Sequence, residues 1–119
     1  MAEQGLTVTK AGDVSVVAFA STMVLDISTS EAMARDLLRL ADSPPPPRIL
    51  VDFTSVRFLA SRMLGLLVEL SRKAEAGGGK VIICGLQGDV NRVFRVMQLD
   101  RLLTVVTDRD TAIAAFVQA

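Results

Sequence analysis

The stretch that most constrains this chain runs from Ile49 to Leu70. Ile49-Leu50-Val51-Asp52-Phe53 is rich in strand formers and too short for a helix, so it reads as a buried strand. A short polar loop follows. From Ser61 the period changes: Met63, Leu67, Leu70 and Ala74 recur at helical spacing, with Leu64 and Val68 beside them. Ser61 therefore stands where a strand-to-helix turn delivers a hydroxyl to the start of a helix. The first N–H groups of a helix lack internal partners, and the macrodipole is positive there. A serine at that place caps the helix through its own oxygen. If phosphorylated, it gains roughly −1.5 to −2 charge at pH 7 beside those N–H groups. The local pattern fits an ordinary N-cap and a phosphate-bearing switch alike.

On either side the chain alternates. Leu6 to Lys10 and Val14 to Ala20 read as two strands paired through the turn at Ala11-Gly12-Asp13. Ser21 to Ile27 is irregular. Ser28 with Glu31 matches a capping box for a helix whose face is Met33, Leu37, Leu40 and Ala41. That helix stops at Ser43 because the residue before proline is pushed out of the α region. Pro44 to Pro47 reads as a stiff connector or as a ligand for a proline-recognition domain, and nothing in the flanks supplies the specificity that the second needs.

Ala76-Gly77-Gly78-Gly79 ends the central helix. These glycines follow a helix and precede a strand, the reverse of the order a phosphate-binding loop requires. Lys80 to Cys84 gives a further strand, and Val90, Val93, Phe94 and Met97 mark the next helix. Leu102 to Val106 reads as the last strand, and Thr107 with Asp110 caps a final helix carrying Ile113, Phe116 and Val117. This order predicts a single α/β domain over residues 1–119: a mixed, mostly parallel sheet of about five strands with about four helices packed against it. Loops at the carboxyl ends of the parallel strands, Ser61 among them, form the functional face.

Composition narrows the function. A chain of 119 residues that is 50% apolar, with mean hydropathy +0.44, buries a core and shows no sign of disorder. Thirteen basic residues balance thirteen acidic ones, and Trp and Tyr are absent, so neither the charge nor the stacking surface of a nucleic-acid binder is present. Without histidine there is no His-based triad, general base or metal site. Cys84 lies in an apolar run and reads as a buried, reduced thiol, which fits a cytoplasmic setting. No apolar run approaches a membrane span and the N-terminus lacks a signal pattern, so neither membrane insertion nor export is expected. Asp52 near a strand end superficially resembles the acceptor of a phospho-aspartate receiver. The early strands, however, end in Lys10 and Ala20 without the acidic pair that such a site requires. No enzyme activity, catalytic residue, metal or cofactor is expected. The apolar excess is compatible with a homo-oligomer interface.

The residues resemble a known family. The segment Ala60-Ser61-Arg62-Met63-Leu64-Gly65, after Val56-Arg57-Phe58-Leu59, is similar to the Asp-Ser-Ser/Thr-Gly-Leu-Gly motif of STAS domains of the bacterial anti-anti-sigma factor type. Asp52-Phe53-Thr54-Ser55-Val56 resembles the run into that motif. Leu25-Asp26 with Thr29 and Glu31 resembles the family's entry into its first helix, with Met23-Val24 in place of a Gly-Glu pair. Gly78-Gly79-Lys80, Arg92-Val93-Phe94 and Leu99 to Leu102 also match, in order along nearly the whole chain.

The resemblance implies an anti-sigma factor antagonist that works by partner switching. The unmodified protein would bind an anti-sigma factor or serine kinase of the same regulatory system, which phosphorylates it at Ser61. The implied partner surface is Asp26, Ser28, Ala60, Ser61, Arg62 and Asn91, on the Ser21–Ser28 loop, the Ser61 turn and the Leu86–Arg92 loop. Ala60 replaces the motif's Asp, Arg62 its second hydroxyl residue and Met63 its Gly. Arg62 is either a cation able to pair a phosphate or a solvated first-turn residue. Met63 is expected to add bulk where a partner approaches. These departures leave a second reading open: a non-phosphorylated scaffold or interaction module of a larger signalling or transporter complex.

Overall fold

The computed structural model describes residues 2–3, 6–19, 23–24, 35–42, 46–59 and 61–118. β2 (Leu6–Ala11) and β3 (Val14–Phe19) form the expected hairpin, with Val8 opposite Val17, and the two-residue β1 (Ala2–Glu3) extends its outer edge. β5 (Arg48–Asp52) runs parallel to β3, β7 (Lys80–Cys84) parallel to β5, and β8 (Thr104–Val106) parallel to β7. The sheet order is β1-β2-β3-β5-β7-β8. A second, two-stranded sheet joins β4 (Met23–Val24) to β6 (Phe58–Leu59) in parallel. The mixed, mostly parallel sheet matches the sequence reading. The pairing of Met23–Val24 within a stretch read as irregular does not.

The strands carry continuous apolar runs because both faces of the sheet are covered. Successive residues alternate between two cores. Val17, Phe19, Ile49, Val51, Val81 and Ile83 point to the larger core, whereas Val14, Val16, Leu50, Ile82 and Cys84 point to the smaller. Among the described residues, four helices contribute to the larger one: α1, helical over residues 35–41, α2 (Ser61–Ala76), α3 (Gly88–Val96) and the short α4 (Leu99–Leu102). α5 (Arg109–Gln118) covers the opposite face with Ala112 and Phe116.

α2 follows its sequence period closely. Met63, Leu64, Leu67, Leu70 and Ala74 are buried and Gly65, Glu69, Arg72 and Lys73 are exposed. Truncating Leu67 to alanine would cost about 2–5 kcal/mol. After α2, Gly79 lies against Pro47: a Cβ built on Gly79 would sit 2.7 Å from the Pro47 nitrogen. Lys80 N–H donates to the Pro47 carbonyl (2.9 Å), and Pro47 is buried. The end of the proline run thus docks as part of a connector. The capping pair Ser28 and Glu31, together with Met33, lies outside the described residues.

Three local expectations change. α3 buries Val90 and Phe94, whereas Val93 and Met97 are 39% and 54% exposed. A nine-residue helix turns only a narrow stripe inward, and both stripes have apolar residues at helical spacing. The last strand starts at Thr104, because Leu99–Leu102 closes a short helix, α4, after Gln98 turns left-handed (φ 58°). The cap of α5 is Asp108, whose Oδ1 accepts the Thr111 N–H at 2.8 Å, and not Thr107. The Thr107 carbonyl instead accepts the Gly85 N–H.

Candidate functional site

The carboxyl ends of β5, β7 and β8 meet on one face, where Asp52, the last residue of β5, and Phe53 just after it differ in character. Phe53 turns into the core. Its ring stacks on Phe19 (centroids 5.1 Å apart, 11° between planes) and meets Phe94 of α3 edge-on at 6.1 Å. Each such aromatic pair adds about 0.5–1.5 kcal/mol beyond its buried area. Asp52 stays at the face and gathers hydrogen bonds. Its Oδ1 accepts from the Thr54 N–H (2.9 Å) and the Thr54 hydroxyl (2.5 Å). Its Oδ2 accepts from Arg109 Nε (3.2 Å) and Nη2 (2.8 Å).

Burial acts to raise the Asp52 pKa, but the Thr54 hydroxyl, the Thr54 amide and the Arg109 guanidinium outweigh it and hold the carboxyl below its ordinary range. This occupied carboxylate is a structural acceptor, unlike the open acceptor of a receiver. Burial above all, with Asp52 nearby, pushes the Cys84 thiol up to about 12, and the side chain is fully buried. Cys84 is therefore an inert core residue, as its apolar run indicates.

Gly85 closes the cluster. It takes φ 77°, a conformation that side-chain-bearing residues avoid. A Cβ there would stand 2.8 Å from both Asp52 Oδ1 and the Thr54 nitrogen. Gln87 Nε2 donates to the Thr54 carbonyl at 3.2 Å, and Val56 N–H donates to the Phe53 carbonyl at 2.9 Å. Thr54 and Ser55 are exposed on the resulting turn, while Val56 is buried beneath it. The chain then forms β6 against Met23–Val24 and enters α2 at Ser61.

Of the sequence-derived site residues, Ser61 and Arg62 are the first two residues of α2, so Ser61 stands inside the helix start and not at the capping position before it. Asp26, Ser28 and Ala60 lie outside the described residues. Asn91 sits half-buried on α3, beside a hollow of about 500 Å³ lined with Gly88, Arg92, Arg95 and Val96. A second hollow, of about 440 Å³, brings Val56 and Arg57 of the turn together with Gln87 and the first two residues of α3, Gly88 and Asp89. The turn after β5 and the start of α3 thus line one hollow, and the expected Leu86–Arg92 loop is corrected: from Gly88 onward it is helix. Met63 is corrected: it is fully buried in the larger core and presents no bulk to the surface.

Gly65 is the bare position on α2. It is exposed, and a Cβ built on it meets nothing within 4 Å. Sequence reasoning passed over Thr54, Gly85, Gln87 and Arg109. The available signal was Arg109 itself, a cation opening a helix where an anion is favoured.

A sheet covered unequally on its two faces, with a strand-to-helix turn at the carboxyl edge, defines a class. The STAS domain family model matches residues 6–112, and the chain belongs to that family. In fold it is similar to an anti-sigma-factor antagonist (STAS) domain protein from Planctomyces limnophilus, at 20% identity and TM-score 0.83, over 94% of this chain and 97% of that one. It is similar also to an anti-sigma factor antagonist from Mycobacterium paratuberculosis (24% identity, TM-score 0.80, covering 93% and 92%). A third similar structure is the Bacillus cell fate determinant SpoIIAA in its phosphorylated form (18% identity, TM-score 0.68, covering 92% and 97%). Among the described residues, no helix is long and apolar enough to cross a membrane.

Proposed function

We propose that this protein is an anti-sigma factor antagonist acting in the cytoplasm by partner switching. It binds an anti-sigma factor with serine-kinase activity through the Ser61 turn and its neighbours, and phosphorylation of Ser61 ends that binding. The observation that carries the reading is the start of α2 at Ser61, after the turn that leaves the carboxyl end of β5. A phosphate there adds roughly two negative charges beside free helix N–H groups, so the fold tolerates it. At a docked interface the same charge opposes an acidic partner surface. Asp26, Ser28, Ala60, Arg62 and Asn91 form the remainder of the proposed contact set, with Ser61 at its centre.

Gly65 supports a protein partner. Glycine inside a helix costs about 0.5–1 kcal/mol relative to alanine, and no contact among the described residues demands it here. A smooth stretch of helix lets another backbone approach closely. The test is binding of wild type, Ser61→Ala and Ser61→Asp to each purified anti-sigma serine kinase of the same genome, with phosphopeptide mass spectrometry after incubation with ATP. Wild type and Ser61→Ala bind, Ser61→Asp does not, and the label appears on Ser61. Equal binding by all three variants refutes the switch. The Ala60, Arg62 and Met63 departures favour a second reading, a constitutive scaffold, and that outcome would select it.

A further inference from the structure

Arg109 breaks a local rule. It opens α5 as a cation at the helix end where the macrodipole favours an anion. Departures of this kind concentrate where function is served. The side chain is 46% exposed, yet its guanidinium reaches back 57 positions to Asp52 through two donors, at 3.2 and 2.8 Å. The other oxygen of that carboxylate holds the amide and hydroxyl of Thr54. Among the described residues, the only further side-chain anchor on Thr54 is the hydrogen bond from Gln87. α5 packs on the smaller core, on the opposite face of the sheet from α2. One ion pair therefore ties a helix on one side of the sheet to the turn that enters the helix on the other.

We propose that Arg109 is a positioning residue for the partner-binding face: through Asp52 and Thr54 it fixes the turn that leads to Ser61, without itself touching the partner. The inference rests on the functional reading above and deepens it, since presentation of Ser61 then depends on α5. The geometry explains why an arginine is used. Two N–H groups on a planar head converge on one carboxylate oxygen and fix its orientation, whereas a lysine supplies a point charge. With Oδ2 held, Oδ1 is aimed at Thr54, and Gly85 leaves room for that arrangement.

The experiment compares wild type, Arg109→Gln and Arg109→Lys as full chains, by amide hydrogen exchange on the isolated protein and by affinity for the kinase identified above. In Arg109→Gln, the Thr54 and Val56 amides exchange at least tenfold faster, while those of Leu50 and Ile82 stay within twofold of wild type. Affinity falls at least tenfold. Arg109→Lys restores the denaturation midpoint but neither of the two local readouts.

Unchanged exchange at Thr54 and Val56 overturns the proposal. So does full rescue of both readouts by lysine, which reduces Arg109 to its charge, and so does faster exchange with unchanged affinity. If no kinase binds wild type, the functional reading falls separately. The exchange comparison then decides by itself whether Arg109 sets the turn.

Discussion

Replacing Gly65 with alanine separates what the fold wants from what the partner wants. Gly65 lies in the second turn of α2, is exposed, and has no atom of the described residues within 4 Å of where a Cβ would stand. The added methyl therefore meets no resistance from the chain. Alanine also narrows the unfolded ensemble and improves helix propensity, so stability rises by about 0.5–1 kcal/mol. For a domain of this length that corresponds to roughly 2–4 °C in Tm.

The partner sees the opposite. If its backbone packs against the bare helix, a methyl group forces a gap or a shift, and affinity falls at least tenfold, about 1.4 kcal/mol. Denaturant titration reads the first effect, and calorimetric binding of the cognate kinase reads the second. A stabilised variant with unchanged affinity refutes the use of this surface. A destabilised variant refutes the open geometry around Gly65.

Further outcomes follow from the cluster at the β5 end. Because the Asp52 pKa is depressed in the folded state, its contribution is present above the unfolded value of 3.8 and is lost as pH falls through the lower folded one. Asp52→Asn should therefore lose about 1–2 kcal/mol near pH 7 and show a shallower acid limb in denaturation midpoints between about pH 5 and 2. An acid limb identical to wild type would refute the assignment. Gly85→Ala combines a left-handed backbone with a Cβ 2.8 Å from Asp52 Oδ1, and should cost roughly 2–4 kcal/mol by denaturant titration. With its pKa pushed up to about 12, Cys84 carries only about 10⁻⁴ thiolate at pH 8. Iodoacetamide should label it only after guanidinium is added, and rapid labelling of the native protein would contradict its burial.

The order of elements was legible because each long element has one period. Ile49 to Val51 and Val81 to Cys84 are continuous apolar runs, and α2 holds its helical stripe from Met63 to Ala74. What escaped was short or non-local. The strands Met23–Val24 and Phe58–Leu59 have two residues each, too few for any alternation to register. The helix Leu99–Leu102 is one turn long. In α3, Val90 with Phe94 and Val93 with Met97 are equivalent stripes until a sheet is present to choose between them. At the site, Ser61 was visible from its place after a strand. The ion pair at the β5 end was not: Asp52 and Arg109 belong to different elements, and only folding brings them together.

The unequal covering of the sheet has a mechanical consequence. α5 rests on a short list of side chains, Ala112 and Phe116 over Val14, Val16, Leu50, Ile82 and Cys84, whereas α2 is embedded in a much larger cluster. Among the larger helices, the C-terminal one is thus the easiest to peel away, in keeping with the low-energy end of local opening. If Arg109 positions the turn as proposed, whatever loosens α5 also slackens the segment that leads to the serine.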